Sequence, residues 1–374
     1  MELTTKDDWQ AAEKRIAAWW EGAVIDRPVI QVTAPRAGHT WDSLAQVVSP
    51  AGVPQAEITD WFTNPDHILR RINRQVDSLF WGGEAFPIVF PVSSRMVAIM
   101  AAYLGCPYRL LGPAGTAWAD PVLTDWEQRP TYQFDPDSPW WRLTRQLLEA
   151  GARIAKNRFY VGIPDLNGPS QILALLRGSQ ELALDLMDHP GVVRAALEEL
   201  NDTWYRYWQA CHGVIHQYIG GYHNWIQLRT DIPYTDLQCD FSIMISPKMF
   251  NEHFLPALEQ QTRWVERTIY HLDGPGAIRH LDALLALPRL TGIQWIQGEG
   301  AAPTSQWLPL LRRIQAGGKL LQVYCKDWEV ETLVRELEPE GLLMITSTDS
   351  EEQARELLQK APGWIKRRKW VLTD

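Results

Sequence analysis

The chain of 374 residues carries 36 Lys and Arg against 45 Asp and Glu, a formal net charge of −9, with 45% hydrophobic and 22% charged residues. That balance is ordinary for a globular protein. It excludes the basic face that nucleic acid needs, and no run approaches the ~20 apolar residues of a membrane span. The unusual number is 19 Trp, which either thickens a core or lines a cavity for something flat, sugar-like or cationic.

Four cysteines, Cys106, Cys211, Cys239 and Cys325, are irregularly spaced and do not read as a disulfide framework. With an acidic, polar N-terminus and no secretory leader pattern, the expected location is the cytoplasm. The basic run Lys366-Arg367-Arg368-Lys369 reads as a solvated tail. No membrane or nucleic-acid partner is expected, and the chain is read as a monomer or homodimer.

In chain order, residues 7–22 form an amphipathic helix with Trp9, Ile16, Trp19 and Trp20 near one face. Asp26-Arg27-Pro28 stops it and opens the first strand, Val29 to Val32. A helix over 61–79 and the apolar run Phe86 to Phe90 follow, and then a strand over Phe159 to Ile163. That strand leads through Asp165 and Asn167-Gly168-Pro169-Ser170 into helices over 170–178, 180–188 and 191–216. Tyr222 to Leu228 is strand-like, with a second short strand through Cys239-Asp240-Phe241. Ser246-Pro247 caps a helix to about Arg267, with Ser as N-cap and Pro at the first helical position.

From there the rhythm is regular. Strands over 268–271, 292–296, 320–325 and 342–345 alternate with helices over 275–287, 303–316, 328–337 and 350–360. Eight strands alternating with helices imply a (β/α)8 TIM barrel, here a single α/β domain spanning 1–374 with an N-terminal helical extension over about 1–25. An open doubly wound sheet is the alternative, but no Gly-rich phosphate loop follows the first strand.

In such a barrel, reacting groups project where strands end. Arg36 and His39 follow the first strand, Ser93, Ser94 and Arg95 the second, and Asp165 and Asn167 the third. His223, Asn224 and Arg229 surround the fourth, with Asp240 just beyond. The next three strands offer His271, Asp273, Glu299 and Cys325, an imidazole, a thiol and two carboxylates able to hold tetrahedral zinc. In His271-Leu272-Asp273 the period of two puts both polar side chains on one face. His212 and His216 are also four apart on a helix but lack the accompanying Glu of a zinc helix, so they read as a packed face. Cys106 and Cys211 read as core.

The segments Asp240-Phe241-Ser242, Ile245-Ser246-Pro247-Lys248-Met249-Phe250 and Tyr270-His271-Leu272-Asp273-Gly274 resemble the uroporphyrinogen decarboxylase superfamily. So do Gly168-Pro169, Leu176-Arg177-Gly178, Leu186-Met187-Asp188-His189-Pro190 and the early Asp26-Arg27-Pro28. The resemblance implies a (β/α)8 barrel and one of two activities: cofactor-free tetrapyrrole decarboxylation, or zinc-dependent methyl transfer with corrinoid proteins. The decarboxylases use an Arg-rich segment after the first strand, where this chain has Arg36 alone, and a His after the last, where it has Thr346-Ser347-Thr348-Asp349. A polyanion needs denser cationic pairing than that. The methyltransferases carry His-x-Cys after the fifth strand and a Cys near the last. Here His271 matches, Asp273 replaces the first cysteine, and Cys325 stands one strand before the second.

The expected function is therefore a methyltransferase or demethylase moving a methyl group between a small methylated substrate and a corrinoid on a partner protein. Zinc on His271, Cys325 and one or both of Asp273 and Glu299 would act as the Lewis acid. Asp240 or Asp165 is the expected acid or base, and His223 an orienting group. Arg36, Arg95, Asn167, Arg229, Trp225 and Trp295 are the expected substrate contacts. The runner-up is a metal-free decarboxylase or lyase holding a small carboxylate on Arg36, Arg95 or Arg229, and the third reading is a non-catalytic ligand-binding barrel. Trp81, Trp118, Trp225, Trp295 and Trp328 flank strand ends and suit a compact methylated or sugar-like molecule, whereas Trp9, Trp19, Trp20, Trp141, Trp204, Trp208 and Trp264 read as helix packing.

Overall fold

A computed structural model describes residues 3–365; the basic run at 366–369 lies outside them. Strands occur at Val29–Pro35 (β1), Leu79–Gly83 (β2), Ile88–Val89 (β3), Tyr108–Leu111 (β4), Thr116–Ala119 (β5) and Tyr160–Val161 (β6). Later strands are Tyr222–His223 (β7), Arg229–Thr230 (β8), Tyr234–Gln238 (β9), Arg267–Asp273 (β10), Gly292–Ile296 (β11), Leu320–Tyr324 (β12) and Leu342–Ser347 (β13). No helix among the described residues is long and apolar enough to cross a membrane.

The chain divides into two compact units. One comprises the residues through Thr5, Asp42–Asp77 and Pro87–Thr291; the other comprises Lys6–Trp41, Ser78–Phe86 and the chain from Gly292 onward.

In the second unit the strand order is β2-β1-β13-β12-β11. All pairings are parallel except the antiparallel β1–β2. β11, β12 and β13 are almost wholly buried along their length, which is why they read as apolar runs without alternation. The buried polar members are Gln294, Gln322 and Thr346, and Gln294 Nε2 donates to Gln322 Oε1 at 2.8 Å directly across the β11–β12 register. Helices Leu308–Ala316, Val330–Glu336 and Glu351–Lys360 follow these strands, as expected. The N-terminal helix, Trp9–Trp20, buries Trp9, Ile16, Trp19 and Trp20. Its Trp19 Nε1 donates to the Gly341 carbonyl at 2.8 Å.

β2 was not expected, because the helix was read through Leu79. That helix stops at Ser78, and Leu79-Phe80-Trp81, better suited to a pleated surface, pairs back on β1. At Gly83, φ is +59° and an added Cβ would stand 2.2 Å from the Ile30 carbonyl oxygen, so only glycine fits. This close approach delivers Glu84 to Arg27, with Oε2 and Oε1 accepting from the guanidinium at 2.6 and 2.8 Å, and Oε2 also accepts the Ile30 N–H at 2.8 Å.

In the first unit β9 and β10 are parallel, as are β3 and β6. β4–β5 and β7–β8 are antiparallel pairs. Three expectations change here. The strand read over 222–228 is only Tyr222–His223. The chain then turns through Gln227, at φ +60°, and returns as β8. The short strand read through Cys239-Asp240-Phe241 lies earlier, at β9, and Asp240–Met244 is a 3-10 turn. The helix beginning at Ser246 contains a π turn over Phe250–Phe254 and ends at Trp264. Both units are thus α/β, with mainly parallel pairing in the second and mixed pairing in the first, and the pairing among the described residues forms no closed sheet.

Candidate functional site

Three strands and two turns of the first unit converge on a group of carboxylates. After β6 the loop Asp165-Leu166-Asn167-Gly168 is closed on itself, with the Asn167 N–H donating to Asp165 Oδ1 at 2.8 Å and Asn167 at φ +56°. Asn tolerates that left-handed conformation better than most residues. The loop is pinned at two further points. The Ala98 N–H donates to Asn167 Oδ1 at 3.1 Å, and Trp204 Nε1 donates to the Asn167 carbonyl at 2.7 Å. A Cβ at Gly168 would meet the Gln238 carbonyl oxygen at 2.0 Å, so glycine lets the loop seat against the end of β9.

On β9, Asp236 and Gln238 are two residues apart and share one face. Gln238 Nε2 donates to Asp165 Oδ1 at 2.7 Å and reaches Asp236 Oδ2 at 3.4 Å. Asp236 is 8% exposed and accepts two further bonds from the turn after β7: Asn224 Nδ2 to Oδ1 at 2.7 Å and Trp225 Nε1 to Oδ2 at 2.9 Å. The turn is itself fixed, because Tyr234 accepts the Asn224 N–H at 3.1 Å and donates to the Leu228 carbonyl at 2.7 Å.

The Trp225 indole meets the His271 ring edge to face at 5.0 Å. His271 lies on β10 opposite Gln238 in the register. Asp240, His271 and Asp273 each offer a ligand atom, all within 4.8 Å of one another, on two half-buried residues and one exposed residue. Imidazole and carboxylate oxygen are the donor types a divalent metal uses.

Burial pushes Asp236 up to about 6, with the Asp165 charge adding to it and the Trp225 bond opposing it. Burial likewise raises Asp165, opposed by the Asn167 N–H and reinforced by Asp240. Asp240 is raised by burial, with His271 working against the shift. Each carboxylate is thus poised to hold a proton closer to neutrality than an ordinary Asp.

Of the residues expected from sequence, Asp165, Asn167, Trp225, Asp240, His271 and Asp273 are brought together here. His223 is fully buried, stacked on Tyr160 at 4.5 Å, and its ring nitrogens have no hydrogen-bond partner among the described residues. Burial and Arg229 lower it well below the usual imidazole range, so it is neutral. Arg229 lies opposite it on the β7–β8 pair, donating to Asp231 at 2.7 Å with its guanidinium 5.1 Å over the Tyr160 ring. Arg95 is exposed, in a turn whose N–H donates to Ser93 Oγ at 3.2 Å.

The others belong to the second unit. Arg36 is half-buried, donates from Nε to the Leu79 carbonyl at 3.0 Å, and lines a cavity of about 730 Å³ with His39, Asp349, Glu351 and Arg355. Trp295 is fully buried against Trp307, 5.1 Å between rings. Glu299 is exposed after β11. Burial raises the Cys325 thiol, as does Glu329, against a bond with Thr346. Neither Glu299 nor Cys325 belongs to the donor group at His271. Of the five strand-end tryptophans, Trp225 is bonded to this site; Trp118 and Trp328 are 53% and 62% exposed. Asp236 and Gln238 are the additions, and Asn224, expected only as a polar residue around the fourth strand, bonds to Asp236. A carboxylate and an amide two apart at the end of a buried strand are a legible signal once β9 is placed at Tyr234–Gln238.

No family model matches the chain, and no curated protein does. Among solved structures, a methyltransferase from Methanosarcina mazei superposes with a TM-score of 0.60 at 12% identity, covering 94% of this chain and 98% of that one. At that identity the likeness is one of fold.

Proposed function

We propose that the chain is a methyltransferase or demethylase acting on a small methylated substrate at the Asp240–His271–Asp273 group. The observation that carries this reading is the convergence of those three donors within 4.8 Å, in a fold shared with a methyltransferase. The fold that accompanies it is a uroporphyrinogen decarboxylase-like (β/α)8 barrel, supported by the strand–helix alternation and by a superposition over nearly the whole of both chains.

Three protein donors, one imidazole and two carboxylates, fit catalytic zinc, which keeps its fourth position for substrate. In this proposal Asp240, His271 and Asp273 hold the metal, without the Glu299 and Cys325 expected from sequence. Zinc bound there supplies a Lewis acid for the oxygen or nitrogen that carries the methyl group. Asp165 supplies the proton. Its Oδ1 is occupied by Gln238 at 2.7 Å and the Asn167 N–H at 2.8 Å, whereas Oδ2 has only a 3.4 Å contact from Asn167 Nδ2. In this reading the proton that Asp165 supplies sits on Oδ2, from which it can pass to the leaving group. Trp225 packs edge to face on the His271 ring at 5.0 Å. The other methyl carrier in this reading is a corrinoid on a separate protein.

Metal analysis and an anaerobic assay test the reading together. Purified protein should hold close to one zinc per chain, and visible absorbance should report conversion between methylated and Co(I) corrinoid with one member of a panel of methylated alcohols, ethers and amines. His271→Ala should lose the zinc and about 100-fold or more in rate, the several kcal/mol of a Lewis acid expressed as rate. Full zinc occupancy in His271→Ala, or no metal in the wild-type protein, overturns the proposed site.

A further inference from the structure

Asp236 offers no atom to the donor group at His271, yet its carboxylate ties the turn carrying Asn224 and Trp225 to Gln238 on β9. We propose that Asp236 is a positioning residue: one carboxylate fixes the Trp225 indole against the His271 ring and, through Gln238, the orientation of Asp165. The inference rests on the proposed role of His271 and adds the residue that holds its surroundings.

Three N–H donors converge on the two oxygens, from Asn224, Trp225 and Gln238, at 2.7, 2.9 and 3.4 Å. The donors on Asp236 are neutral amide and indole groups, and Asp165 and Asp240 add like charge beside it, with His271 opposing. A buried carboxylate without a cation is costly, and if it served folding alone a neutral amide would do as well. β11 and β12 carry such an amide pair at buried positions, Gln294 and Gln322. What an amide cannot do here is accept on both sides. Asparagine has one acceptor oxygen and would turn its NH2 toward either the Asn224 amide or the Trp225 indole. Trp225 is only half-buried, so its indole bond to Asp236 and its contact with His271 set its orientation. Loss of the bond frees the ring from the histidine.

Histidine-ring NMR spectra of the metal-free full chain test this directly, because the Trp225 ring current falls on His271. Asp236→Asn should move the His271 signals toward the positions they take in Trp225→Leu. The double variant should coincide with Trp225→Leu, since both changes act through one contact. His67, on the surface with Asp60, should stay in place and certify the fold. Unmoved His271 signals in Asp236→Asn overturn the inference.

A cobalt(II) titration read by visible absorbance provides the second arm. Asp236→Asn should weaken binding about 10-fold, the usual scale for a residue supporting a metal ligand, and Trp225→Leu should do the same. If Asp236→Asn does not fold, Trp225→Leu decides the matter, and an unchanged cobalt affinity there overturns the inference. A wild-type chain that binds no cobalt refutes the metal reading and leaves the NMR arm to decide the positioning role.

Discussion

Glu84 of the second unit and the aspartates at the candidate site of the first are buried in different ways. In the second, Glu84 is fully buried but meets the Arg27 guanidinium on both oxygens and the Ile30 N–H as well. The sheet beside it carries neutral glutamines, with Gln294 bonded to Gln322. In the first unit, Asp165 and Asp236 are answered by amide, indole and backbone N–H groups, and their nearest ionisable neighbours are other carboxylates and one histidine. A carboxylate locked to a cation serves as scaffold. One supported by neutral donors beside like charges keeps a proton within reach, which is what acid–base chemistry requires. Removing the charges on each side should therefore have opposite consequences.

The largest effect is expected on the scaffold side. Glu84→Ala leaves the Arg27 guanidinium buried without its carboxylate and should cost about 3–5 kcal/mol, read as a fall in the urea midpoint at unchanged slope. A loss under ~1 kcal/mol would erase the contrast, because Glu84 would then be as dispensable as a surface ion pair.

The second effect is on the other side and carries the opposite sign. The Asp236 pKa is raised from 3.8 to about 6 in the folded chain. The folded state therefore binds more proton than the unfolded state between those values. The stabilising contribution of its protonated form is complete below about pH 4 and is lost as the pH rises through about 6. The loss is on the order of 3 kcal/mol. Urea unfolding at pH 4, 5, 6 and 7 should show this decline, and Asp236→Asn, which has no proton to lose there, should flatten it. A wild-type stability that instead rises steadily from pH 4 to 7, unchanged by the substitution, would show that Asp236 is held as a scaffold carboxylate like Glu84.

The same contrast explains what could be read from the chain. β11 to β13 are legible almost to the residue, because short, mostly apolar runs such as Leu320 to Tyr324, opened by the Gly317-Gly318 turn, have few other readings. His271 and Asp273 were recognisable together, since the period of two fixes their face before any tertiary contact forms. Asp236 was not, because its partners come from a turn twelve and eleven residues earlier, Asn224 and Trp225, brought back by a hairpin whose Gln227 adopts a positive φ that sequence does not advertise. Asp240 was read as an acid beside the metal and not as a ligand, since its reach to His271 depends on β9 ending at Gln238 and the chain turning at once. The tryptophans divide on the same principle. Trp9, Trp19, Trp20, Trp141, Trp204 and Trp208 are buried on helices whose periodicity predicted it. Among the five strand-end tryptophans, Trp225 is bonded into the site by a hydrogen bond to Asp236.

The smallest effect lies in the glutamine pair. Gln322→Leu removes the acceptor of the Gln294 amide inside a sheet where both residues are fully buried, and should cost about 1–2 kcal/mol by unfavourable desolvation of a donor deprived of that bond. Replacing both with Leu should recover most of the loss, because two apolar side chains of similar length leave no polar atom of the pair to satisfy. The equivalent double change at Asp236 and Gln238 should not recover in the same way, because the Asn224 and Trp225 donors and Asp165 remain. Urea unfolding of the four single and two double variants measures both couplings on one scale. Recovery in the second unit with none in the first would separate a pair that fills a sheet from a pair that holds a site, whereas equal recovery in both would make Asp236 and Gln238 another packing pair.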